Sequence, residues 1–219
     1  MTNGNSPPAL VIFDCDGVLV DTEMAINEVM SANLARYGLQ LTPAACLALF
    51  KGGRMTDAMT QSRKMGAALP DSWIDEIYEE MHARLEAGVA AVEGIHEVIG
   101  RLDQRGIDLC VASNGSEKKM SISLGHAGLW DRFQDVLFSA HTHGVAKPDP
   151  GLFQLAAERF GVAAGHCVVV EDSVPGVRAA RAAAMPCYGY AEHDDGKDLS
   201  VAGAEVFRNM RILPGLLGI

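Results

Sequence analysis

Two aspartates separated by one residue, Asp14 and Asp16, emerge from an apolar, β-prone run, Ala9-Leu10-Val11-Ile12-Phe13, and are followed by Gly17. In an extended segment, residues i and i+2 share a face. The two carboxylates are therefore expected side by side where a buried strand ends. Two like charges that close either raise one pKa or demand a cation, so the pattern suits a divalent metal and carboxylate chemistry. A strand running into an Asx turn would carry the same Asp-x-Asp-Gly. A calcium loop of the EF-hand kind would not, because it needs a third oxygen ligand, a glycine at its sixth position and a closing Glu. Here the glycine is fourth, and Val18, Leu19 and Val20 follow.

Three more groups fall at the ends of strand-like runs. Ser113-Asn114-Gly115-Ser116 follows Leu109-Cys110-Val111-Ala112, and offers a hydroxyl and backbone N–H groups at a helix start. That suits a phosphate, or a simple helix cap. Val145-Ala146-Lys147-Pro148-Asp149-Pro150 is a loop stiffened by two prolines that can hold Lys147 in one place. Glu171-Asp172-Ser173 follows Val168-Val169-Val170, where its acids could cap a helix or complete a metal site. Oxygen-only ligands favour a hard ion such as Mg²⁺.

The elements that must position these groups alternate. Strands are expected at Ile107–Ser113, Val136–Ser139, His166–Glu171 and Cys187–Tyr190, besides the first run. Helices are expected at Gly94–Arg105, Glu117–Ala127, Gly151–Phe160 and Val174–Ala184. Alternation of this kind implies an α/β fold with a parallel sheet and right-handed crossovers. Its strands read as continuous apolar runs because both faces are covered, and function gathers at their carboxyl ends. The segment from about Thr22 to Gly88 differs, with no strand and with apolar residues at helical spacing (Met24, Val29, Met30, Leu34; Trp73, Ile77, Met81, Leu85). Breaks near Gly38, Pro43, Gly52-Gly53 and Pro70 divide it. Its six methionines (24, 30, 55, 59, 65 and 81) read as packing, or alternatively as an adaptable substrate-facing surface.

The 219 residues suffice for one sizeable core plus a small subdomain. A net charge of −10 with no Lys/Arg run argues against a nucleic-acid partner. No apolar run approaches the ~18 residues of a membrane helix, and the polar start, Met1 to Pro8, lacks the features of a signal peptide. A cytoplasmic monomer with no membrane partner is the default expectation. Five cysteines without a C-x-x-C pair suit a reduced compartment, with Cys110, Cys167 and Cys187 as small core residues. His141 and His143 lack a third ligand at zinc spacing, and Asp194-Asp195 reads as a solvated loop.

With these four groups in this order, the chain resembles the haloacid dehalogenase superfamily over nearly its whole length, in the branch with β-phosphoglucomutase and small phosphatases. Asp14-x-Asp16-Gly17, Ser113, Lys147 and Glu171-Asp172 resemble its four motifs in turn. "FDCDGVLVDTE", Phe50-Lys51-Gly52, Ser113-Asn114-Gly115 with Lys119-Met120, and "KPDP" are similar to bacterial sugar-phosphate phosphatases of the 6-phosphogluconate phosphatase kind. The resemblance implies a Rossmann-like core (residues 1–20 and 89–219) carrying a mobile helical cap (21–88). It implies a Mg²⁺-dependent phosphatase of small phosphorylated sugars or sugar acids. Asp14 would be the nucleophile that forms an aspartyl phosphate, Asp16 the general acid and base, and Lys147 the charge-neutralising cation. Ser113 and the Asn114 backbone would hold phosphoryl oxygens. Mg²⁺ would be held by the Asp14 side chain, the Asp16 carbonyl and Asp172, with Glu171 acting through water or behind them. Lys51 and Arg54, beside the flexible Gly52 and Gly53, would contact substrate from the cap.

The departures bear on which reaction this is. Haloacid dehalogenases proper lack an acid at the Asp16 position, so its presence favours phosphoryl transfer. β-Phosphoglucomutases carry a His twelve residues after the nucleophile, where this chain has Ile26, and a cap motif ending Gly-x-Ser-Arg, where it has Lys51-Gly52-Gly53-Arg54. A phosphosugar mutase remains the alternative. Phosphonate hydrolysis would need a desolvated cap lysine, which the sequence does not mark at Lys51 or Lys64.

Overall fold

The computed structural model describes residues 7–51, 53–192 and 195–219; Gly52, Asp194 and the first six residues lie outside them. Six strands, β1 (Leu10–Phe13), β2 (Asp108–Ser113), β3 (Leu137–Ser139), β4 (Cys167–Glu171), β5 (Cys187–Tyr190) and β6 (Glu205–Phe207), form one sheet in the order β3-β2-β1-β4-β5-β6. Every neighbouring pair is parallel. β1 is central, flanked by β2 and β4, and all four of its residues are fully buried. Its period-2 alternation sends Val11 and Phe13 into one apolar layer, and Leu10 and Ile12 into the other. The sheet is thus covered on both faces, as the continuous apolar runs require. β6 has no counterpart in the sequence reading. Its three residues, one of them Glu205, give too short a pattern to separate from a loop.

Between β1 and the next core helix, α5 (Ile95–Gln104), the chain makes four helices: α1 (Glu23–Arg36), α2 (Pro43–Phe50), α3 (Met55–Lys64) and α4 (Trp73–Glu86). The predicted breaks are physical. Gly38 takes the left-handed conformation just after α1. Pro43 opens α2 behind a Thr42 cap that accepts from the Ala45 N–H. The insert has its own core around the fully buried Trp73, whose indole N–H donates to Asn33 at 2.7 Å. Met30, Met59 and Met81 pack in this core and Met55 lies against it, while Met24 and Met65 are exposed. The insert's ends meet at a narrow neck, where Val20 bridges Ala91, the Asp21 N–H donates to Ala90, and the Val92 N–H donates to Leu19.

All five cysteines are buried and unpaired. Among the described residues, no helix is long and apolar enough to cross a membrane.

Candidate active site

The register of β1 against its neighbours builds the site. Phe13 is level with Val111 of β2 and Val170 of β4. The residues that follow, Asp14, Ala112-Ser113 and Glu171-Asp172, therefore leave the sheet at one edge. Asp14, Glu171 and Asp172, all buried, each place a carboxylate oxygen within 4.8 Å of the others. Lys147, 4% exposed, lies between them with its Nζ 2.5 Å from Asp14 Oδ1 and 2.5 Å from Glu171 Oε1. The loop that delivers it is clamped to the end of β2 by Asn114. The Asn114 Oδ1 accepts from the Lys147 N–H at 2.9 Å, and its Nδ2 donates to the Lys147 carbonyl at 3.2 Å. This use of its side chain leaves the Asn114 backbone for a ligand.

The electrostatics follow from burying several acids together. Burial, only partly offset by Lys147 and reinforced by repulsion from Glu171 and Asp16, pushes Asp14 up to about 7. Burial also raises Asp172 well above the usual carboxylate range, against the pull of Lys51. Asp16 goes the other way. Burial alone would raise it, but the Lys119 ammonium at 2.5 Å and the Thr22 hydroxyl at 2.6 Å hold it below its ordinary value. Lys147 is likewise penalised by burial and held charged by Asp14 and Glu171.

Glu171 is committed on both oxygens. Its Oε1 takes Lys147, while its Oε2 accepts from the Asp172 N–H, the Ser173 N–H and the Ser173 hydroxyl. It anchors Lys147 and the following loop, and Asp14 and Asp172 are left as the side chains best free to meet a cation. That pair fits a hard divalent ion: the donors are carboxylate oxygens, buried and close, and the lysines beside them are shared with Glu171 and Glu23. The Asp16 carboxylate is turned to Lys119 and Thr22 instead, which leaves only its carbonyl for the metal role expected of it.

Two glycines make the approach possible. A Cβ on Gly176 would sit 1.9 Å from the Glu171 carboxyl group, and one on Gly17, whose φ is +72°, would sit 2.4 Å from Asp172 Oδ2. Ser113, 2% exposed, receives the Gly115 N–H at 3.0 Å and shapes the turn above the strand end.

The two residues expected from the insert part company. Lys51, at the end of α2, reaches the sheet edge with its Nζ 2.9 Å from Glu23 Oε1 and 3.2 Å from Asp172 Oδ2. Arg54 does not. It starts α3, pairs with Asp57 on the same helix, and its side chain is 65% exposed. His141 and His143 make ring contacts with Tyr78 and Phe138, and among the described residues they belong to no metal-sized cluster.

Lys119 and Thr22, which hold Asp16, were not singled out as site residues. Thr22 follows Asp16 by six residues across a turn, with no spacing rule to mark it. Lys119 had one usable signal, because it follows the Ser116 helix cap by three residues and must lie in the first turn of α6 (Glu117–His126) near the strand ends.

Comparison with known proteins agrees with this geometry. The haloacid dehalogenase-like hydrolase family matches residues 8–184. The 6-phosphogluconate phosphatase of Escherichia coli is 29% identical over 208 residues, 94% of this chain and 93% of that one. A phosphoglycolate phosphatase of Xanthomonas campestris is 31% identical over 194 residues, covering 86% and 87% of the two chains. A haloacid dehalogenase-like protein of unknown function from Agrobacterium tumefaciens superposes with a TM-score of 0.86 at 32% identity, covering 96% and 97%. The chain belongs to the haloacid dehalogenase-like hydrolases and is a phosphatase-type enzyme of that family.

Proposed function

We propose that this hydrolase is a Mg²⁺-dependent phosphomonoesterase acting on small phosphorylated sugars or sugar acids through a phosphoryl group carried on Asp14. The observation that carries the reading is the buried constellation of Asp14, Lys147 and Asp172 at one sheet edge, with the partly exposed Asp16, Ser113 and the Asn114 backbone beside it. The named relatives act on phosphorylated acids of this size.

Asp14 Oδ attacks phosphorus in line, and the P–O bond to the leaving group breaks as the P–O bond to Asp14 forms. Lys147 offsets the charge of one anion approaching another. Ser113 Oγ and the Asn114 N–H hold the phosphoryl oxygens that are not displaced. Asp16, held ionised by Lys119 and Thr22 in the free site, would be the base toward the attacking water, and would serve as the acid toward the leaving oxygen once the anionic phosphoryl group beside it has raised its pKa. Asp14, the Asp16 carbonyl and Asp172 would hold the metal, with Glu171 acting through Lys147 and the loop. When bound, Mg²⁺ supplies further charge neutralisation to the phosphoryl group.

Residues 21–88 serve as a cap on a core made of 1–20 and 89–219. The neck at Val20 and Ala91 is the natural hinge, and Lys51 is the contact that closes onto the core. Closure would exclude water from the phosphoryl group. The protein is expected to act as a cytoplasmic monomer.

Phosphate release from a panel of phosphorylated sugars, sugar acids and polyols, with Mg²⁺ and with EDTA, tests this. Metal-dependent release from one or a few compounds is the expected result. Conversion of a sugar phosphate to its isomer without release would replace it with a mutase.

A further inference from the structure

Among the described residues at the site, Lys119 is a partly buried cation that the proposed reaction uses only to hold Asp16 and not to contact substrate. Its side chain is 14% exposed, and its Nζ donates to Asp16 Oδ2. An ammonium has three N–H donors, and Asp16 takes one. Among the described residues, no other acceptor is within hydrogen-bond reach of that nitrogen. The other two donors are therefore available to a ligand that reaches this edge.

The position of those donors is informative. In-line attack by Asp14 puts the leaving oxygen on the far side of phosphorus, and if Asp16 serves that oxygen as proposed, the Lys119 ammonium bonded to Asp16 Oδ2 lies next to the leaving group. A Cβ at Gly115 would meet Ser113 Oγ at 3.3 Å, the Lys119 Cδ at 3.5 Å and Asp16 Oδ2 at 3.8 Å. The phosphate-side hydroxyl, the proposed proton-transfer carboxylate and the lysine stem therefore gather around this one glycine. Helix α4 of the insert packs on α6 over this region. It brings Tyr78, edge-on to His141, and His82, whose buried Nε2 has no partner and which feels the charges of Lys118 and Lys119.

We propose that Lys119 is a specificity-determining residue whose ammonium binds a carboxylate on the leaving group, so that phosphorylated carboxylic acids are preferred to neutral phosphorylated sugars and polyols. The inference rests on the phosphatase reading and narrows its substrate class. A carboxylate fills the open donors with charge-assisted hydrogen bonds and, in a site crowded with acids, needs a cation to be admitted at all. A neutral hydroxyl offers no such match, and sites built around a polar group reject analogues lacking it by large factors.

The test uses matched pairs: gluconate 6-phosphate against sorbitol 6-phosphate, and phosphoglycolate against 2-hydroxyethyl phosphate. The expected wild-type preference in kcat/KM for the acid of at least one pair is about 30-fold or more. In Lys119→Met that ratio falls to within about 3-fold, mainly through KM for the acid, and Lys119→Arg recovers most of it. If Lys119 only positions Asp16, Lys119→Met lowers acid and neutral compound equally through kcat, and the proposal is overturned. It is equally overturned if the wild type shows no preference. Calorimetric titration of the same compounds into Asp14→Asn, with and without Lys119→Met, separates this from the phosphatase reading. Tighter binding of the acid that disappears with Lys119→Met supports the subsite even if no compound is hydrolysed. Equal or absent binding overturns it.

Discussion

The sheet edge and the helical insert contribute to the same site by different means. At the sheet edge Asp14, Ser113, Glu171 and Asp172 are fixed by strand register, and Lys147 by the loop that Asn114 clamps to the end of β2. Once β1 pairs with β2 and β4, Asp14, Ser113, Glu171 and Asp172 have no freedom to lie anywhere else. In the insert the same chemistry hangs on helix ends. Lys51 reaches Asp172, while Arg54, three residues on, turns to Asp57 and solvent. A sheet edge gives a constellation that tolerates little change, whereas a helical insert gives a contact that depends on how the insert sits. Chemistry that all substrates share belongs on the first, and recognition that differs between substrates belongs on the second.

The sharpest way to break this comparison is at the sheet edge. Asp14→Asn removes the carboxylate proposed as the nucleophile and leaves a side chain of the same shape. Activity is expected to fall by at least about 10³-fold, with the melting temperature of the metal-free protein unchanged or raised, because a buried, repelled carboxylate has gone. A steady-state assay beside a thermal scan checks both. Lys147→Met should act on folding as well. It leaves Asp14 and Glu171 buried without their shared cation, and losing one partner of a buried pair costs about 3–5 kcal/mol. Denaturant unfolding should show that loss. A midpoint equal to wild type would mean that the cluster does not depend on Lys147.

The sheet edge was also the legible part of the sequence. Asp14 with Asp16, Ser113 and Glu171-Asp172 each follow an apolar run, and strand ends of a parallel sheet converge; Lys147 arrives instead on the proline-stiffened loop beyond β3. The site could therefore be assembled from one-dimensional pattern plus topology. What escaped was set by three-dimensional approach. Thr22 and Lys119 meet Asp16 through a turn and a helix start whose orientation no spacing encodes. Gly176 reads as an ordinary helix residue, yet it is there because the Glu171 carboxyl group occupies the place of its Cβ. Glu171 reads as an acid acting through water or behind the metal ligands, and no spacing shows that it accepts four hydrogen bonds, one of them from Lys147. In the insert, composition and breaks gave the helices. Which of Lys51 and Arg54 would turn inward is not encoded in the spacing of two cations three residues apart.

The insert can be probed by comparing those two residues. Lys51→Met removes the only ion pair that links the described residues of the insert's α2 to the sheet edge. It is expected to lower kcat/KM by about 10- to 100-fold, in the range of one charge-assisted contact. Arg54→Ala should stay within about 3-fold, since an exposed i,i+3 pair contributes little. Equal losses in the two variants would mean that Arg54 swings inward during turnover and that the insert rearranges beyond a simple closure.

The smallest effect sharpens the metal assignment. Asp14, with its pKa pushed up to about 7, and Asp172, raised well above the usual range, must both be ionised to ligate a cation. Below pH 7, binding therefore has to expel a proton from Asp14, so Mg²⁺ affinity should rise with pH by up to about tenfold per unit for each proton released. The rise should flatten for Asp14 above pH 7. The sign for stability is opposite in the metal-free protein. A carboxyl whose folded pKa is raised binds its proton more tightly folded than unfolded. Its contribution to stability is present in full below about pH 3.8 and is lost as pH rises through 7. Mg²⁺ should therefore stabilise the protein more at pH 8 than at pH 6, by a margin that shrinks in Asp14→Asn. Calorimetric titration of Mg²⁺ in two buffers of different ionisation enthalpy counts the protons directly. A count near zero at pH 6.5 would mean that the cation does not bind through Asp14, and the sheet-edge acids would then need another role.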